Sequence, residues 1–129
     1  MQQNGNEKMA EHNLLGNKGE MLAARYLAGE GLAVLEYNWR SGHKEIDLIA
    51  KERDILVFVE VKTRRNENFG DVRDAVTPQK IKNIVAAAEA YIKKHDIDSP
   101  IRFDIVTIVG NGESHEIEHI RDAFYPDIE

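Results

Sequence analysis

Residues 54–64, DILVFVEVKTR, form the strongest strand signal in the chain, dominated by β-branched and aromatic residues that fit a pleated, half-buried surface. Successive strand side chains point to opposite faces. Leu56, Phe58, Glu60 and Lys62 therefore share one face, and Val57, Val59 and Val61 share the other. Any fold built on this strand must place a carboxylate and an ammonium in line with two large apolar side chains. Ile55–Val59 is also as long as any apolar run in the chain, at five residues. A membrane helix needs about 20 and the apolar core of a secretory signal about 7–15. No membrane-bound or exported chain is expected. The absence of cysteine removes disulfides, thiolate catalysis and cysteine-ligated metal sites, and a cytoplasmic location is the resulting expectation.

The rest of the chain supplies partners for this strand. At 129 residues it suits one core. Residues 1–12 are polar and aperiodic and read as a flexible tail, which leaves 13–129 as a single domain. From Leu15 the apolar spacing turns helical through Leu22, Ala23, Tyr26 and Leu27, and Gly29 and Gly31 end the run. Residues 33–40 and 45–52 read as two strands before the strongest one. Thr77-Pro78 then opens a second helix with an N-cap and a first-turn proline. Its stripe of Ile81, Ile84, Val85, Ala88, Tyr91 and Ile92 fits a helix lying on a sheet. A strand at 101–109, a turn at Gly110-Asn111-Gly112 and a short strand at 115–120 complete the order αβββαββ. The expected class is α/β, with helices packed on a mixed sheet.

The chemistry concentrates where the second and third strands meet. A short turn at 51–54 makes them antiparallel neighbours, so Asp47 approaches Glu60 across the ladder, with Lys62 on the Glu60 face. Two carboxylates beside a lysine suit magnesium or manganese, hard cations held by one or two carboxylates, waters and substrate phosphate. Such an ion would support phosphodiester hydrolysis, with Lys62 orienting water or stabilising developing charge. Spacing alone also permits an ordinary solvated strand face. Two helical residues point to the same region: Glu20 at the margin of the first helix stripe, and Lys80 at the margin of the second.

Several segments together resemble the bacterial YraN family: Gly19-Glu20, Asn38-Trp39-Arg40, Glu45-Ile46-Asp47-Leu48-Ile49, Phe58-Val59-Glu60-Val61-Lys62, Lys80, Arg102-Phe103-Asp104-Ile105-Val106 and Asp122-Ala123-Phe124. The resemblance covers about residues 14–125. That family is similar to Holliday-junction resolvases and to the PD-(D/E)xK, restriction-endonuclease-like superfamily, which implies a three-layer core. Carried over by position, the resemblance makes Asp47 and Glu60 the acidic metal ligands and the Val61 carbonyl a further ligand. Lys62 becomes the motif lysine and Glu20 the helix-one acid. It further implies a DNA substrate, branched or otherwise structured, and a homodimer, since symmetric cutting of two strands needs two sites. Lys44 departs from the family pattern, which usually has glycine before Glu45.

Other features bear on partners. The net charge of −6 opposes phosphate binding, but residues 110–129 hold six acids against one base, leaving the remainder nearly neutral. Arg64, Arg65, Arg73 and Lys80, with Phe69 for base stacking, make the loop after the strongest strand the expected nucleic-acid contact. A catalytically silent nucleic-acid-binding or scaffold module is the alternative. Residues 115–119, HEIEH, match a zinc-protease motif literally, but that motif needs a helix, on which the histidines lie about 6 Å apart along the axis. On the expected strand they lie about 13 Å apart. Asp104 and Arg102 share a strand face and are expected to pair structurally.

Overall fold

The computed structural model describes residues 18–64, 76–111 and 114–126. The expected tail at 1–12 and the first turn of helix one from Leu15 lie outside them. The described elements are α1 (Lys18–Gly29), β1 (Ala33–Ser41), β2 (Lys44–Glu52), β3 (Ile55–Arg64), α2 (Pro78–Lys94), β4 (Ile101–Asn111) and β5 (Ser114–Ile120). They form one mixed five-stranded sheet in the spatial order β1-β2-β3-β4-β5. The only parallel pair among them is β3 with β4. Parallel neighbours need a long crossover, and α2 lies within it. The Thr77 hydroxyl accepts the Lys80 N–H at 3.2 Å and starts that helix, as its sequence predicts.

The two helices cover opposite faces of the sheet. On one side Ile84, Ala88 and Tyr91 of α2 pack on Ile49, Leu56, Phe58, Phe103 and Ile105. On the other, Ala23, Ala24 and Leu27 of α1 pack on Leu48, Val57, Val59 and Val106. The alternation read for β3 is thus the partition between two cores. Of the expected turn at 110–112, Gly110 and Asn111 belong to β4 and pair with His115 and Ser114, and Gly112 lies outside the described residues. Gly110 has φ +140°, and a Cβ there would collide with the Ser114 carbonyl, so glycine lets the two strands close.

Alternation fails at a bulge between Val34 and Glu36 on β1 and again at a step shared by β1 and β2. Ile46 and Ile49, three apart on β2, both pack on the α2 side, whereas Leu48 packs on the α1 side. Glu36 and Trp39 of β1 follow the same shift: Tyr91 of α2 donates to Glu36 at 3.3 Å and meets Trp39 edge-to-face at 5.1 Å. Asn38, between them, has φ +49°. The flanking pairs Tyr37 with Leu48 and Trp39 with Ile46 set Asn38 opposite Asp47, so both strands turn over together at that step.

A second organising feature is a buried charge network away from that step. Asp104 on β4 is wholly buried and accepts from Arg102 at 2.8 and 2.9 Å, the Asp122 N–H at 3.0 Å and His119 Nε2 at 2.7 Å. His119 Nδ1 meets Glu30 at 2.7 Å, and Glu52 holds both Arg102 and Arg121. With a carboxylate on each ring nitrogen, His119 is an imidazolium. Burial opposes the charged ring, but its bonds to Asp104 and Glu30 prevail and hold its pKa above 6.5. The network ties β4 to the turn after α1, the β2–β3 hairpin and the segment after β5.

Removing one partner of a buried pair leaves an uncompensated charge. Asp104→Ala is therefore expected to lower unfolding stability by about 3–5 kcal/mol in urea titration. His119 has a raised folded pKa, so its stabilising contribution is complete below about 6.5 and disappears as pH rises through the higher folded value. His119→Gln should accordingly flatten the fall in stability of the native chain above neutrality.

Candidate functional site

Asp47 organises the site by taking over a backbone bond. The β2–β3 ladder runs from Glu52–Ile55 to Leu48–Val59. Two residues beyond Val59, the Val61 N–H donates instead to Asp47 Oδ2, at 2.8 Å. The sheet opens here, and Asp47 sits where the strand turns over between the two faces. A residue's N–H and C=O point to the same side of an extended strand, so the Val61 carbonyl is also directed toward β2. Asp47 is 8% exposed and Glu60 5%, which makes both interior carboxylates.

Glu60 continues the α2-facing row of Leu56 and Phe58. Lys80, in the first turn of α2, places its Nζ 3.7 Å from Glu60 Oε2. The other oxygen, Oε1, is buried with no hydrogen-bond partner. Burial, reinforced by the Asp47 charge, pushes the Glu60 pKa well above the usual carboxylate range, against the opposing pull of Lys80 and Lys62. Lys62 is itself exposed at the rim.

Glu20 arrives from the opposite layer. α1 approaches β3 closely because residue 19 is glycine: a Cβ there would lie 2.5 Å from the Thr63 methyl carbon. The next residue, Glu20, is half-buried, and its Oε2 is likewise unpartnered. Burial first, and then the Asp47 charge, raise its pKa to about 7, while the Asn38 amide pulls the other way. Carboxylates from α1, β2 and β3 thus gather where the sheet opens, Glu20 and Glu60 each facing the Asp47 carboxylate and each with one buried oxygen that has no donor.

Most of the expected residues meet here: Glu20, Asp47, Glu60, Val61 and Lys80 adjoin one another, with Lys62 beside them. Lys80, read as a nucleic-acid contact, is placed against Glu60. Arg64 is half-buried at the end of β3. Arg65, Phe69 and Arg73 lie outside the described residues. Lys44, the departure from the family pattern, is exposed beside the β1–β2 turn and away from the buried carboxylates. The HEIEH histidines are on strand β5, as expected, and have separate environments. His115 lines a pocket with Gly19, Leu22 and Thr63, while His119 belongs to the Asp104 network. The residue that sequence reading passed over is Asn38, which appeared only within a family motif. Its signal was positional, since a hairpin centred on 42–43 sets it across from Asp47.

Among the described residues, no three His, Cys, Asp or Glu side chains form a ready-made metal cage. Two interior carboxylates with a neighbouring carbonyl instead match what magnesium uses when it keeps several waters. The unpartnered oxygens of Glu20 and Glu60 are open acceptor positions of the kind that a cation, its waters or a proton satisfies.

The profile of the uncharacterised protein family UPF0102 matches residues 19–108. Similar chains include a UPF0102 protein of Phocaeicola vulgatus, 49% identical over 120 residues, which cover 93% of this chain and 99% of the relative. A UPF0102 protein of Bacteroides fragilis is 51% identical over 118 residues, covering 92% and 98%. One from Flavobacterium johnsoniae is 50% identical over 121 residues, covering 91% and 98%. Among the described residues, no helix is long and apolar enough to cross a membrane.

The raised Glu60 pKa has a measurable consequence for the metal-free chain. Its folded value lies above the ordinary 4.5, so its contribution to stability is complete below about 4.5 and is lost as pH rises through the folded value. One pKa unit corresponds to about 1.4 kcal/mol. Glu60→Gln, which keeps the shape without the charge, should unfold in urea with at least about 1 kcal/mol more stability than the native chain at pH 8, and with no advantage at pH 4. Equal stability at pH 8 would show that Glu60 is not strained by burial.

Proposed function

This chain belongs to the UPF0102 family, and we propose that it is an endonuclease that hydrolyses DNA phosphodiesters with magnesium or manganese at the Asp47–Glu60 site. The observation that carries the reading is the pair of buried, unpartnered oxygens, Glu20 Oε2 and Glu60 Oε1, flanking a carboxylate already anchored to the backbone. Side chains with that much desolvation and so few partners are a cost to the fold, and such costs gather at functional sites. The sequence resemblance to resolvases and to the restriction-endonuclease-like superfamily gives the same answer by analogy. It extends that answer to branched or structured DNA cut by a homodimer.

In this reading Asp47, Glu60 and the Val61 carbonyl would hold the ion. When bound, it supplies Lewis acidity toward a phosphoryl oxygen and a water acidified enough to attack phosphorus. The protein's own groups do the rest. The Val61 N–H fixes one Asp47 oxygen, leaving the other for binding. Lys62, at the exposed rim, offsets charge developing on the non-bridging phosphate oxygens. Lys80 offsets the charge of Glu60 while the site is empty of phosphate. Glu20, with a pKa raised to about 7, is suited to hold or exchange a proton with water on the α1 side near neutral pH.

The test is cleavage of labelled duplex, single strand, flap, four-way junction and RNA with magnesium, manganese or chelator. The native chain is compared with Asp47→Asn, whose amide oxygen still accepts the Val61 N–H. Metal-dependent cutting of at least one DNA, reduced about 100-fold or more in the variant, is expected. Equal cutting by both proteins, or none by either, would refute the nuclease. Nucleic-acid affinity that is independent of metal and unchanged in the variant would then establish the binding module.

A further inference from the structure

We propose that Asn38 is a positioning residue of this site: its side-chain amide holds the Glu20 carboxylate in place and leaves Glu20 Oε2 open beside Asp47. The functional consequence rests on the nuclease reading, whereas the positioning itself rests on geometry alone.

Two independent observations converge on this residue. The first is backbone. Asn38 adopts φ +49° inside a strand, a left-handed conformation that side-chain-bearing residues rarely take, though asparagine tolerates it better than most. Such a residue persists where its surroundings over-determine it. Here the cross-strand neighbour is Asp47, and the same step turns both strands over, with Trp39 and Ile46 passing to the α2 side. The departure from a regular strand therefore coincides with the site.

The second is the amide. Turned so that its nitrogen faces the two carboxylates, it donates to Glu45 Oε2 at 3.1 Å and to Glu20 Oε1 at 3.3 Å. The opposite orientation would set the amide oxygen against two carboxylates, so the acceptors fix which way the group faces. The same Glu45 oxygen lies 3.5 Å from Arg40 Nε. The chain Arg40–Glu45–Asn38–Glu20 runs from the solvent-facing hairpin to the helix-one acid. Its last member also faces the Asp47 carboxylate on β2, which repels it, so the Asn38 amide is the group that favours its charged form. Without the amide, Glu20 Oε1 loses its donor while still facing the charges of Asp47 and Glu45. The carboxyl is then free to rotate or to share a proton with Asp47.

This account explains the side chain as well as the backbone. Glycine would supply the dihedral angle and aspartate both the dihedral angle and the shape, but neither supplies a donor to two carboxylates. A purely structural role at a left-handed position would be met by glycine.

The test is built on Asn38→Gly, which keeps the backbone conformation, and on Asn38→Asp, which replaces the donor with an acceptor. Crystal structures of the metal-free native chain and both variants are expected to show an unchanged sheet. In both variants the Glu20 carboxylate should be displaced by more than about 1 Å, beyond ordinary interface-scale backbone differences. In cleavage assays both variants should lose about tenfold or more in kcat with little change in KM. In a Glu20→Gln background, Asn38→Gly should cost nothing further, since residues acting as a unit are not additive. A Glu20 carboxylate unmoved in both variants, or losses from Asn38→Gly and Glu20→Gln that multiply, would overturn the proposal. If no chain cuts any substrate, the nuclease reading fails, and the position of Glu20 in the crystal structures still decides the role of Asn38.

Discussion

The hydrogen bond from the Val61 N–H to Asp47 Oδ2 sets the form of everything around it. A β-ladder left to itself would pair Val61 with the backbone of β2. By accepting that N–H with a side chain, Asp47 ends the ladder without leaving a buried donor unpaired, which would cost about 1–3 kcal/mol. The sheet can then open between its two helical layers. The turnover at Asn38 and Asp47 and the close approach of α1 across Gly19 bring groups from both layers to the gap. An undistorted sheet would have kept Glu20 and Glu60 on opposite sides of a closed wall.

Two sets of buried carboxylates in one molecule show what distinguishes structure from function. Asp104 is more deeply buried than Glu60, yet its pKa lies below the ordinary value. Desolvation alone would raise it, but His119, Arg102 and the Asp122 N–H together outweigh burial. Its donors are internal and complete. Glu60 has one lysine at 3.7 Å, one oxygen with no partner and a raised pKa. A chain able to satisfy Asp104 so fully does not leave Glu60 exposed to the same desolvation for want of available donors. Under the proposed function, the difference is that the second carboxylate remains available to a cation.

Sequence periodicity carried the elements, the antiparallel approach of β2 and β3 and the shared face of Glu60 and Lys62, because each depends on local repeat and short connections. Glu20 and Lys80 were legible as helical residues at the margins of apolar stripes. The inversion of alternation at Asn38 and Asp47 was not, since a period-two pattern assumes that strands do not turn over. Trp39 illustrates the loss: its packing on Tyr91 follows from the inversion and not from its parity with Glu36. His119 was hidden differently. Its two carboxylate partners come from the end of α1 and from β4, so no local spacing contains them.

The acidic balance of the chain is a weaker objection to a polyanionic substrate once the fold is known. Glu30, Glu52 and Asp104 are matched by Arg102, His119 and Arg121 and contribute little outward field. Glu116 and Glu118 are exposed, but they lie on β5, two strands beyond β3 in the sheet. Two strand spacings are about 10 Å, and the Debye length at physiological ionic strength is about 8 Å. Their repulsion is therefore largely screened at Glu60. Lys80 stands 3.7 Å from Glu60, and Lys62 acts on the same carboxylate from the exposed rim. The field that an approaching phosphate meets is set by these two lysines and the local carboxylates, and the divalent cation of the proposed function would reverse its sign.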